Sequence, residues 1–163
     1  MKENSTSSLS PGLPAIIENA GNLITRIYSK IDLAAPIANL AIRLWVANVF
    51  FKAGLTKIKS WDSTMYLFEN EYDVPLLSAE FAAMMGTAIE LFFPVLLALG
   101  LAGRFGAFVL FAFNIMAVIS YPDLNPAGIR DHQVWGIMLL VPLLYGPGKI
   151  SIDHWINKKF GAK

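Results

Sequence analysis

Cysteine is missing from all 163 residues. That excludes disulfides, thiolate metal sites, iron–sulfur clusters and any CxxC relay in one step. Histidine is nearly missing too. His132 and His154 stand at opposite ends of the last apolar stretch, so a bis-histidine haem is not expected, and no metal site is assigned. Charge is scarce, at 15% of residues, and net charge is +1. With no dense basic cluster, nucleic acid is not expected as a partner. No P-loop, dinucleotide glycine motif, Ser-His-Asp arrangement or HExxH occurs, and no catalytic residue is assigned. Redox chemistry would need a bound organic cofactor, such as a quinone, or a partner protein.

What the chain has is apolar sequence in long blocks. Hydrophobic residues make up 55% and mean hydropathy is +0.52. A soluble domain sits nearer 45–50% apolar and about 25% charged. The expected class is all-α, an integral membrane four-helix bundle with flanking amphipathic interfacial helices. About 20 apolar residues cross the hydrocarbon, and the predicted spans are 37–57, 78–100, 101–120 and 126–146. In the last, Asn125 is read as the N-cap and Pro126 as the first helical residue, with Gly146-Pro147-Gly148 as the stop.

The flanks read differently. Residues 1–13, rich in Ser, Pro and Gly, are expected to be a disordered lead rather than a signal peptide. Residues 14–33 have helical apolar spacing, predicting an amphipathic helix on the membrane surface, with a turn over Asp32 to Pro36 before the first span. At the other end, 149–163 is expected to be a short amphipathic cytoplasmic tail capped by Ser151. The polar loop 58–77 carries Trp61, Tyr66, Phe68 and Tyr72, read as an interfacial aromatic belt in preference to a pocket cap. Four spans put both termini on one side. Eight Lys/Arg flank the spans on that side against three opposite, predicting cytoplasmic termini.

Charges inside spans are costly and mark functional or pairing sites. Arg43, Phe50, Gly54 and Lys57 fall within roughly 40° of one another on a helical wheel, whereas Lys52 faces away and can snorkel. A depth count at about 1.5 Å per residue suggests pairing of Arg43 with Glu90; the alternative is a protonated Glu90 with Arg43 bonded to backbone carbonyls. Arg43, Glu90, Asn114 and Trp135 form the predicted intramembrane polar core, a candidate quinone or ligand site. Lys57, Glu80, Arg130, Asp131 and His132 form a predicted outer polar cluster. Gly54, Ala83 and Gly86 read as close-packing positions.

Three stretches carry a resemblance. These are R-L-x6-F-x-x-G-x-x-K from Arg43 to Lys57, the Glu90 helix followed by Gly100-Leu101-x-x-Arg104, and GPGKISID from Gly146 to Asp153. Together they resemble the DoxX-like membrane proteins, with Phe50, Gly54, Gly146, Pro147, Gly148, Ser151 and Asp153 as motif residues of structural kind. The text FFKAGLTKIKSWDSTMYLFENEYDVPLL resembles a branch encoded beside enzymes that modify copper-binding or otherwise altered peptides.

The resemblance implies a bacterial inner-membrane bundle with a redox or stress connection. Relatives include a subunit of a thiosulfate:quinone oxidoreductase, so the expected roles are two. One is an accessory or quinone-linked subunit, at most part of an oxidoreductase. The other is a noncatalytic membrane partner in maturation or export of a modified peptide. A small-molecule transporter is a weaker third. Expected partners are the lipid bilayer and other membrane or periplasmic proteins, or a homo-oligomer. No thiol mechanism carries over to a chain without cysteine.

Overall fold

The computed structural model describes residues 12–161, apart from the side chains of residues 13–15. Most of the expected disordered lead, residues 1–11, and the last two residues of the tail lie outside the described residues. Six α-helices and no strands occur among them: α1 Leu13–Lys59, α2 Trp61–Asn70, α3 Ala79–Leu99, α4 Gly103–Ile119, α5 Pro126–Tyr145 and α6 Ile152–Phe160. The class is all-α.

Two compact units divide at Ala35 and Pro36. In the first, the helix exposes Ile16, Ile17, Leu23, Ile24, Ile27 and Ile31. Asp32–Pro36 lies inside α1 rather than forming the expected turn. Proline lacks one N–H, but its neighbours supply the remaining ladder bonds.

In the second unit, α1, α3, α4 and α5 pack around one core. Val46, Ala47 and Phe50 from α1 meet Leu97 of α3, Ala107 and Leu110 of α4, and Leu139 of α5. Gly54 permits close approach, since a Cβ there would lie 2.9 Å from Leu91 Cδ2 and 3.1 Å from Glu90 Cβ. The outward faces are apolar instead of charged, with Phe92, Phe105, Phe108, Ile115 and Ile137 about half exposed or more. Arg43, Glu90 and Asn114 are buried. This arrangement of apolar outside and polar inside suits a bilayer. Ile16–Lys59 and Ala79–Leu99 are each long and apolar enough to cross one, while Gly103–Ile119 is apolar but shorter.

Helix ends follow the local chemistry. Asn125 Oδ1 accepts from Gly128 N at 2.9 Å with Pro126 in the first turn. Ser151 Oγ accepts from His154 N at 3.1 Å. Gly146 and Gly148 stop α5 with φ of 83° and 77°, values that disfavour any residue with a Cβ.

The N-terminus of α4 has no cap of its own, because Ala102 occupies that position. Asp153 supplies one from afar: its two carboxylate oxygens accept from Ala102 N and Gly103 N, each at 2.8 Å. A carboxylate there also opposes the positive helix end. Asp153→Ala should therefore cost about 1–2 kcal/mol, as other lost caps do, and Asp153→Asn less. Thermal unfolding in detergent checks this, and equal stability of Asp153→Ala and wild type would refute it.

Candidate functional site

Side chains on a helix lean toward its N-terminus. On α1, with Gly54 level with Glu90, that lean carries Lys57 back to Glu90 and carries Arg43 away from it. Lys57 Nζ donates to Glu90 Oε1 at 2.7 Å and also to Oε2. Its side chain is 19% exposed and that of Glu90 is 7% exposed.

The expected Arg43–Glu90 pairing is thus corrected. Arg43 Nη1 donates to Leu97 O at 3.0 Å and Ala98 O at 2.9 Å, Nη2 donates to Ile150 O, and Nε donates to Asn39 Oδ1 at 3.1 Å. The backbone-carbonyl alternative for Arg43 is what the geometry shows.

The depth count failed for a second reason. The first apolar run does not finish its course at Lys57, because α2 follows directly and packs beside the first turns of α3, with Phe68 against Ala82 and Ala83. Thr64 Oγ1 donates to Lys57 O and Ser60 O at 3.0 and 3.1 Å, tying α2 to the end of α1. Lys57 therefore sits inside the bundle, level with the twelfth residue of α3, Glu90, rather than at an outer boundary.

Around this ion pair lies a cavity of about 570 Å³. Phe50, Phe68, Phe113 and Trp135 supply aromatic wall, and Lys57, Glu90, Tyr72, Ser120, Tyr121 and His132 supply polar atoms. Phe50 stands edge-on to Phe113 and Trp135, with ring centroids 6.3 and 6.0 Å away. The lining also includes Met85 of α3 and Phe108 and Met116 of α4, which are 41%, 54% and 40% exposed. The cavity consequently reaches the apolar flank of the bundle between those helices.

At the end near α2, the loop closes over it. Asp73 N donates to Ser120 O at 2.8 Å, and Tyr72 packs edge-on against Phe68 and Tyr121, at 4.9 and 5.1 Å. Tyr121 O–H donates to Glu71 Oε2 at 3.4 Å. Burial pushes the Tyr72 phenol up from its usual pKa, and the neighbouring Glu71 carboxylate pushes that of Tyr121 up. Both stay protonated donors at neutral pH.

Ser120 Oγ is buried and has no hydrogen-bond partner among the described residues. Buried polar atoms are normally satisfied.

The predicted clusters are therefore redrawn. Lys57 and His132, assigned to the outer cluster, join Glu90 and Trp135 around the cavity. Glu80, Arg130 and Asp131 are exposed and lie outside the lining. Asn114 is buried behind it, bonded to His132. Phe68 and Tyr72 are cavity wall, so the aromatic loop is in part a cap, while Tyr66 is 62% exposed as a belt residue would be.

The family model for DoxX matches residues 38–122, just over half of the chain. The chain belongs to the DoxX family. It is 27% identical over 141 residues to an uncharacterized protein of Haemophilus influenzae, covering 80% of this chain and 91% of that protein. No solved structure matches significantly. The DoxX match includes Arg43, Lys57, Glu90, Asn114 and Ser120 but ends before α5, so the parts played by His132 and Trp135 rest on geometry.

Asn39, Ser120 and Tyr121 carry no site assignment in the sequence reading, and Phe68 and Tyr72 enter it only through the less favoured pocket-cap alternative. Asn39 lies four residues before Arg43, on the same helical face, a spacing that signals contact. Ser120-Tyr121 precedes Pro122 and reads only as a helix end.

Proposed function

We propose that this DoxX protein is an accessory membrane subunit of a redox or stress-linked complex, holding a quinone in the cavity beside Lys57 and Glu90. The observation that carries the reading is the cavity's construction: aromatic walls, a flank open to apolar surroundings, and a buried ion pair at its polar end. Its volume of about 570 Å³ lies within the usual range for small-molecule sites, about 300–1,000 Å³.

The residues fit such a ligand. Lys57 Nζ spends two donors on Glu90 and has a third for a ring oxygen. The Tyr72 hydroxyl can donate or accept, and the aromatic walls suit a flat ring. Arg43, expected near the ring from sequence, has no place in this lining. A bound quinone would supply two-electron, two-proton chemistry. The chain itself would orient the ring, exclude water, and hold a proton on Glu90.

In this reading four segments cross the bacterial inner membrane. Residues 14–33 lie along the interface, and both termini are cytoplasmic, as the distribution of Lys and Arg favours. The peptide-partner role draws support from one feature, Leu76, which is fully exposed at φ 66° in the loop before α3. An exposed apolar residue held at positive φ offers a contact for a protein client.

Native mass spectrometry of gently extracted protein tests the choice. The expected result is a stoichiometric quinone in wild type. It should be lost in Ala112→Trp, which fills the flank from an exposed lining position, and reduced at least tenfold in Glu90→Gln. Lipid alone would overturn the quinone reading. A peptide released by changes at Leu76 would establish the other role.

A further inference from the structure

The orientation of Asn114 fixes more than its own contacts. Its Nδ2 lies 2.9 Å from His132 O. A backbone carbonyl can only accept, so the nitrogen of the amide must be the atom on that side. Oδ1 then faces His132 Nδ1 at 2.8 Å, and an amide oxygen can only accept. The imidazole must therefore carry its proton on Nδ1. Trp135 holds the ring edge-on at 4.8 Å, and His132 lines the cavity. With Nδ1 committed to Asn114, Nε2 is the ring atom left for the cavity, and no partner for it occurs among the described residues. On a neutral ring it is a lone pair.

From this geometry we infer that His132 Nε2 is a hydrogen-bond acceptor built for a ligand that presents a hydroxyl on an apolar body, and that Asn114 is the positioning residue that sets its tautomer. The inference rests on the reading of the cavity as a ligand site and adds the polarity of one of its poles. Lys57 donates at one point and His132 accepts at another. The cavity is thus complementary to an aromatic alcohol or phenol, with a hydroxyl donor and a second oxygen that accepts. A ligand offering only acceptors, such as a fully oxidised quinone, leaves Nε2 unsatisfied, whereas the reduced quinol form of the same carrier presents both a hydroxyl donor and an accepting oxygen. Sites built to bond a hydroxyl reject the analogue without it more sharply than apolar pockets reject an added group.

Two measurements test this. In wild-type protein labelled with ¹⁵N-histidine, with the exposed His154 assigned through His154→Gln, the His132 ring should show a protonated Nδ1 and an unprotonated Nε2. The reverse pattern, or protons on both nitrogens, overturns the inference without need of a variant at the site. Binding is then compared for 4-decylphenol, its methyl ether and a decyl-benzoquinone in detergent. The phenol should bind about tenfold more tightly than its ether, the effect of one buried hydrogen bond. That preference should vanish in His132→Phe, which keeps a ring against Trp135. In Asn114→Leu the Nδ1 signature should be lost along with the preference. Quinone binding with no preference for phenol over ether overturns the hydroxyl pole and leaves the proposed function standing. Failure of all three probes to bind overturns both.

Discussion

Arg43→Ala should destabilise the bundle by several kcal/mol, since it removes the donor from three carbonyls and each acceptor stranded by such a loss costs about 1–3 kcal/mol, while leaving the ligand affinity of the folded fraction unchanged. The guanidinium is fully buried, and its neighbours are mostly carbonyls. Leu97 and Ala98 stand in the last turn of α3, where carbonyls lack i+4 helical partners, Leu97 O taking only the capping Gly100 N–H at 3.1 Å, and where the helix end is electronegative. Ile150 belongs to the segment between α5 and α6. Asn39, which takes the Nε proton, itself donates Nδ2–H to Gly146 O at 3.2 Å, where α5 stops. One side chain therefore joins α1, the end of α3, the end of α5 and the GPGKIS turn. The packing is close: a Cβ on Gly100 would lie 2.7 Å from Arg43 Nη1 and 2.5 Å from Ser151 Cβ.

Arg43→Lys should recover only part of the loss, because one ammonium has three donors without the planar fork that reaches these acceptors. Thermal unfolding in detergent, followed with quinone titration of each folded variant, separates structure from binding. Unchanged stability would remove Arg43 from this role. Stability intact with binding lost would return it to the ligand site.

Much of this fold was legible because its signals are local. Asn125-Pro126, Ser151 and Gly146 announce helix ends through their own backbone chemistry, and each serves as expected. The helical wheel placed Arg43, Phe50, Gly54 and Lys57 on one inward face, and all four turn inward. What periodicity lacks is the direction in which a side chain leans along that face, and Arg43 and Lys57 exchanged expected partners for that reason. The depth of Lys57 is not legible, because the polar stretch after it has the composition of a loop. Its Trp61–Asn70 segment is a helix whose buried residues, Thr64 and Phe68, fall one turn apart. The role of Asn114 was out of reach, since its two bonds to His132 cross from α4 to α5 and leave no trace in either helix alone.

The Lys57–Glu90 pair poses the sharper question, because one geometry serves both as glue and as a binding pole. Lys57→Met leaves a buried carboxylate without its cation, and Glu90→Leu leaves a buried ammonium without its anion. Each single change should cost about 3–5 kcal/mol. The double change Lys57→Met with Glu90→Leu strands nothing and fills the space with apolar atoms of similar bulk. It should be far less destabilising than the sum of the singles, and replacements of this kind range from neutral to stabilising. The pair is then dispensable for folding, and its retention calls for a use.

If the use is the cavity, the double variant folds with near wild-type unfolding temperature and yet fails to retain quinone in native mass spectrometry. If the pair is only glue, the double variant keeps its ligand. Additive losses in the two singles would mean the groups are not coupled, contrary to the contacts at Glu90. Arg43 offers the contrast within the same helix. Three of its four acceptors are main-chain carbonyls that no substitution removes, so no single partner change compensates for its loss. For that reason the cation at the α3 C-terminal end is bound to the architecture, whereas the cation at the cavity is free to serve chemistry.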